Sequence, residues 1–99
     1  MSFTVHGNGS NCATLPTSPY TGDLTFDNCP VKICGPFVLH GRIIIPRGCK
    51  VTMTGTWTIY YPTNEAPGTE WFFALVEDMD DLDYTGATLV FESEEGGAG

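Results

Sequence analysis

The stretch Lys50-Val51-Thr52-Met53-Thr54-Gly55-Thr56-Trp57-Thr58-Ile59-Tyr60-Tyr61 carries the clearest structural signal in the chain. Val51, Met53, Trp57, Ile59 and Tyr61 fall on one side of an extended backbone; Thr52, Thr54, Thr56, Thr58 and Tyr60 fall on the other. Successive side chains of a strand point to opposite faces, so this alternation reads as one strand with a buried and a solvated side. Gly55 interrupts it and marks a bulge, bend or turn.

Outward from this strand the chain is punctuated by 12 Gly and 7 Pro, and the apolar stretches between them are short. That pattern predicts an all-β protein with further strands at Ser2–His6, Asp23–Asp27, Phe37–Ile45, Glu70–Val76 and Ala87–Glu92. One segment is ambiguous, because Trp71, Phe72, Leu75, Val76, Met79 and Leu82 also share a helical face. Glu77, Asp78, Asp80 and Asp81 would then crowd the negative end of that helix, and the cluster Trp71-Phe72-Phe73 favours a strand. The expectation is therefore a strand to Val76, followed by an acidic loop holding a helical turn. The expected core includes Phe26, Ile44, Val51, Trp57, Ile59, Phe72, Leu89 and Phe91.

At 99 residues and 10.7 kDa the chain has room for one domain, expected over 1–95, with 96–99 as a flexible Gly-rich tail. An apolar content of 41% is too high for a disordered chain, despite a net charge of −8. The sequence shows neither a membrane-spanning apolar run nor a signal-peptide pattern, so a soluble protein is expected. The charge is uneven: every Lys and Arg lies within residues 1–50, whereas residues 51–99 hold ten acids and no basic residue. This argues against nucleic acid and anionic membranes as partners, and favours cations, a basic protein or the basic half of another copy.

Cys12, Cys29, Cys34 and Cys49 all lie in the first half. Only Cys29 and Cys34 approach the close spacing of a zinc ligand pair, and neither His6 nor His40 sits at a recognised offset. The spacing leaves buried thiols, two disulfides in any of three pairings, and a metal site open. Oxidised cysteines would point to a secreted or particle-associated protein. Asn8-Gly9-Ser10 is a formal glycosylation sequon, informative only in that case.

An internal echo at an offset of 46 aligns Leu15–Gly22 with Tyr61–Gly68, and it aligns Val5 with Val51, Gly9 with Gly55 and Phe26 with Phe72. From each Gly, 22 and 68, the chain runs on to an apolar triplet, Ile43-Ile44-Ile45 and Leu89-Val90-Phe91. Two such halves, about 1–48 and 49–95, would pack as a small β-sandwich. The pattern resembles the two Greek-key motifs of a βγ-crystallin domain. Tyr61, Ala66 and Gly68 fill the family's corner positions in one half, and Leu15, Tyr20 and Gly22 fill them in the other. The run Ile43–Thr52, with Pro46-Arg47-Gly48, is similar to the family's junction between motifs, although Met53–Ile59 intervene before the corner. The resemblance implies a sandwich of two Greek-key-like halves and a Ca²⁺ site near Asp80-Asp81-Leu82-Asp83-Tyr84-Thr85, without the family's Ser-Ser tail.

Read without the family, Glu77, Asp78, Asp80, Asp81 and Asp83 place five carboxylates within seven residues. Ca²⁺ takes six to eight oxygen ligands, and these residues are the candidate metal ligands. No EF-hand spacing and no nucleophile elbow is present, and no convergent set of nucleophile and base stands out. The expected function is thus non-enzymatic: a crystallin-like structural or binding protein that takes Ca²⁺ on its acidic loop. The alternative is an acidic interaction or assembly protein, docking a basic partner surface. It would be a self-assembling or particle-coating subunit, or a secreted inhibitor or toxin.

Overall fold

The computed structural model describes residues 2–64 and 68–94. Eight strands form, at Ser2–His6 (β1), Tyr20–Thr21 (β2), Asp23–Asp27 (β3), Val31–Cys34 (β4), Phe37–His40 (β5), Ile43–Ile44 (β6), Val51–Tyr61 (β7) and Leu82–Ser93 (β8). Every pairing between them is parallel. Val5 lies opposite Phe26, Leu24 opposite Ile43, Val31 opposite Val51 and Phe37 opposite Trp57. Each pairing advances the chain by about twenty residues, so the backbone winds as successive coils of a β-solenoid, each coil stacked on the one before. The step into the fourth coil is longer, with Val51 opposite Leu82 and Trp57 opposite Leu89.

Each coil has three sides. One carries β1, β3 and β6, extended by the bridge from Ile45 to Val76. The second carries the Cys12–Lys32 bridge, β4 and the first halves of β7 and β8; the third carries β2, β5 and their second halves. The corner between the second and third sides falls at Gly35 and Gly55. Gly55 has φ 82°, and a side chain on it would sit 2.8 Å from the Gly35 backbone nitrogen. Only glycine accepts both constraints, so the interruption read from the sequence is a corner within one continuous strand.

The all-β character expected from the sequence is present, and β1, β3 and β7 fall where the alternation puts them. The two-Greek-key arrangement is corrected: a Greek key is built from antiparallel neighbours, whereas all named pairs here are parallel. The stacked positions recur at about twenty residues and not at the offset of 46, with Val5 beside Phe26 and Val31 beside Val51. The stretch Glu70–Val76 is corrected as well. It forms a helix at Gly68–Phe72 (α1) and a 3-10 turn at Phe73–Leu75. This segment is the insertion that lengthens the third coil. Its helical turns satisfy most backbone groups locally, its end bonds to the third coil where the Ile45 N–H donates to the Leu75 carbonyl at 3.1 Å, and Phe72 drives fully into the core. Glu77 and Asp78 follow these turns, and Asp80 and Asp81 lie in a separate 3-10 turn at Met79–Asp81, the helical turn expected within the acidic loop, so the crowding expected of one longer helix does not arise.

The interior is one apolar column. Leu39, Ile59 and Phe91 stack through three coils, as do Phe37, Trp57 and Leu89, and Val31, Val51 and Leu82. Trp57 is fully buried against Phe37, ring centroids 5.0 Å apart, and its indole N–H donates to the Thr54 carbonyl at 3.0 Å. Of the expected core, Phe26, Val51, Trp57, Ile59 and Phe72 are buried, and Leu89 and Phe91 pack against it half-buried. Ile44 is corrected: it faces outward, while Ile43 and Ile45 are fully buried. The tail 96–99 lies outside the described residues.

Both pairs of cysteines are disulfides. Cys12–Cys34 and Cys29–Cys49 span 22 and 20 residues, one coil each, so they tie the first coil to the second and the second to the third. Two disulfides fit an oxidising setting. Among the described residues no helix is long and apolar enough to cross a membrane.

Candidate functional site: the acidic end of the solenoid

The fourth coil is tied to the third by carboxylates. Asp78 starts a 3-10 turn at Met79–Asp81, its Oδ1 accepting from the Asp80 N–H at 3.0 Å. Its Oδ2 accepts from the Arg47 guanidinium at 3.2 Å. Asp81 is 7% exposed; Oδ2 accepts from the Gly48 N–H at 2.6 Å and Oδ1 from the Lys50 ammonium at 3.1 Å. The Gly48 N–H, then Lys50, hold the Asp81 carboxyl below its usual range. Glu77 Oε2 accepts from the Arg47 N–H at 3.4 Å, and the Glu77 N–H donates to the Ile45 carbonyl at 3.1 Å. Asp83 turns back on its own strand, accepting from the Thr85 hydroxyl at 2.7 Å and the Thr85 N–H at 3.1 Å, which lowers its carboxyl too.

The five sequence-selected acids therefore do not converge. Glu77 and Asp78 reach Arg47, Asp81 reaches Gly48 and Lys50, Asp83 reaches Thr85, and Asp80 points to solvent. Among the described residues no three His, Cys, Asp or Glu side chains are grouped so as to hold a metal ion. The two histidines are also accounted for. His6 pairs with Asp27, and His40 stacks on Tyr60 with centroids 4.5 Å apart.

What the sequence did not single out is the end face beside these acids. The one strand paired with β8 among the described residues is β7, so over residues 82–92 its other edge has no described strand beside it. Between that strand and α1 lies a groove of about 440 Å³ lined by Thr69, Phe73, Tyr84, Ala87, Leu89 and Phe91. Phe73 stacks on Tyr84 at 5.1 Å, and Tyr84 is 39% exposed, with Val90 on the outer face at 38%. Glu70 on α1, Asp80, Asp83 and Glu92 on the 3-10 turn and β8, and Glu94 just after it make no ion pair among the described residues, and Arg47 and Lys50 are taken by Asp78 and Asp81. Arg42 lies over the Trp71 ring, 5.3 Å from its centroid. The unmatched potential at this end is thus negative. The sequence signals were the run of acids and the alternation Ala87, Leu89, Phe91; neither alone indicated an edge strand.

Compared with known proteins, the chain matches no protein family, no curated protein and no solved structure.

Proposed function

We propose that this protein is a non-enzymatic interaction module that presents the acidic fourth-coil end of a disulfide-tied solenoid to a basic protein partner. The observation that carries this reading is the charge distribution along the axis. Residues 2–22 hold no Asp, Glu, Lys or Arg, whereas residues 76–94 hold seven carboxylates and no basic side chain. Of the third coil's cations, Arg47 and Lys50 are spent on Asp78 and Asp81 and Arg42 lies over the Trp71 ring, so the remaining carboxylates act outward. The calcium alternative needs several of the same carboxylates to leave their present partners and meet on one ion. Thermal unfolding with Ca²⁺, Mg²⁺ or EDTA at fixed ionic strength separates the two, because a bound ion raises the midpoint selectively.

The direct test is calorimetric titration with polylysine. The expected result is binding that weakens as salt rises and is largely lost when Asp80, Glu92 and Glu94 are neutralised together (D80N/E92Q/E94Q). These three make no ion pair, so their loss leaves the internal carboxylate bonds intact. Equal binding by the neutralised chain, or no binding by either, overturns the reading.

A further inference from the structure

Resting on the reading of the acidic end as a docking face, we infer that the partner is an extended basic segment that adds as a strand along the outer edge of β8, with alternate apolar side chains entering the groove beside it. Three observations converge. First, β8 is the longest described strand, at 12 residues, and over residues 86–92 its outer edge pairs with no described strand. An edge strand of this kind is a template for another strand. Second, its two faces differ. Ala87, Leu89 and Phe91 face the apolar groove, while Asp83 and Glu92 bracket the opposite face, with Thr88 and Val90 between them. A strand laid beside β8 continues that alternation, so its inward residues meet Leu89 and Phe91 and its outward residues lie near Asp83 and Glu92. Apolar side chains inward and Lys or Arg outward satisfy both faces. Third, the charge selects the occupant. A second copy offering its own β8 would bring like charges together, which is destabilising. The opposite end of a second copy offers no basic residue within 2–22, and its edge strands are short, five residues in β1 on the first side and two in β2 on the third side.

The test titrates the intact, oxidised protein with a short peptide alternating Lys and Val. In parallel it is titrated with the same peptide N-methylated on every second residue, and with polylysine. Readouts are affinity and amide hydrogen exchange. The expected result is that the Lys–Val peptide binds, slows exchange of the edge amides of β8 and leaves β4 unchanged. N-methylation, which removes the peptide's strand-forming N–H groups along one edge, weakens binding by about tenfold or more. Tyr84→Ala, at the exposed lip of the groove, weakens the Lys–Val peptide but not polylysine. Equal affinity of the methylated and unmethylated peptides, with no new protection on β8, overturns strand addition while polylysine binding keeps the acidic-end reading. Failure of polylysine and peptide alike overturns both.

Discussion

The first and fourth coils end the same solenoid in opposite ways. The first coil closes with a two-residue strand, β2, after a loop carrying Pro16 and Pro19, and it is tied to the next coil by Cys12–Cys34. Proline lacks the N–H that a neighbouring strand would use, so the third side offers little to pair with at this end, where the longer edge strand is β1 on the first side, five residues paired with β3. The fourth coil ends in twelve regular strand residues, has no disulfide, and is held by carboxylates folded back onto Arg47, Gly48 and Lys50. One end is covalently tied and nearly neutral. The other is non-covalently held, apolar inside and acidic outside. Rigidity and availability are thus separated along one axis, with the coils built for stability carrying the coil built for contact.

The largest expected effect probes the shared column. Trp57→Ala in the third coil should cost about 3–5 kcal/mol, since a fully buried indole leaves a cavity. Leu89→Ala, one coil further on the same stack, should cost only about 1–2 kcal/mol because its surroundings are half open. Chemical denaturation of both variants measures the gradient, and equal losses would erase the distinction between the ends. Next, removing either disulfide as a paired Cys→Ala substitution should cost about 3 kcal/mol, from loops of 22 and 20 residues. Both losses should show in unfolding midpoints, with the groove at the fourth coil retaining its affinity for the Lys–Val peptide.

Smaller effects fall on the carboxylate ties. Asp81→Asn keeps the shape but leaves Lys50 without its partner, and should lower the melting temperature by a few degrees while loosening β8 ahead of β4 and β5. The pH dependence follows from the lowered carboxyls of Asp81 and Asp83. Because their folded values lie below the ordinary 3.8, their contribution is complete above that value and is lost as pH falls through the folded values. Acid should therefore release the fourth coil first. A pH titration followed by amide exchange checks this, and simultaneous loss of all coils would contradict it.

Much of the strand content was legible because alternation reports burial directly, as in β7. Strand direction was not, since Val51, Met53, Trp57 and Ile59 declare which face is buried but not which way the neighbour runs. The coil period was hidden for a related reason. Its repeated positions, such as Val31, Val51 and Leu82, share only apolar character, and the insertion containing α1 lengthens the last step. The cysteines carried the period in their spacing, yet the pairing that reveals it is one of three. In Ile43-Ile44-Ile45 all three residues are apolar, so parity could not say that Ile44 faces out. The acidic loop was legible as acidic. That Asp81 turns back onto Gly48 and Lys50 depends on a coil contact that local sequence does not encode.

The central claim is that the third side of the solenoid is blunted at the first coil, by the two-residue β2, and open at the fourth, along β8. Native-state hydrogen exchange, resolved by residue on the oxidised protein, tests it most directly. The account predicts slow exchange in β4, β5 and β7, with fast exchange of the β8 amides that point away from β7. Protection of those β8 amides equal to that of β7 would show the edge to be covered, and would contradict the account.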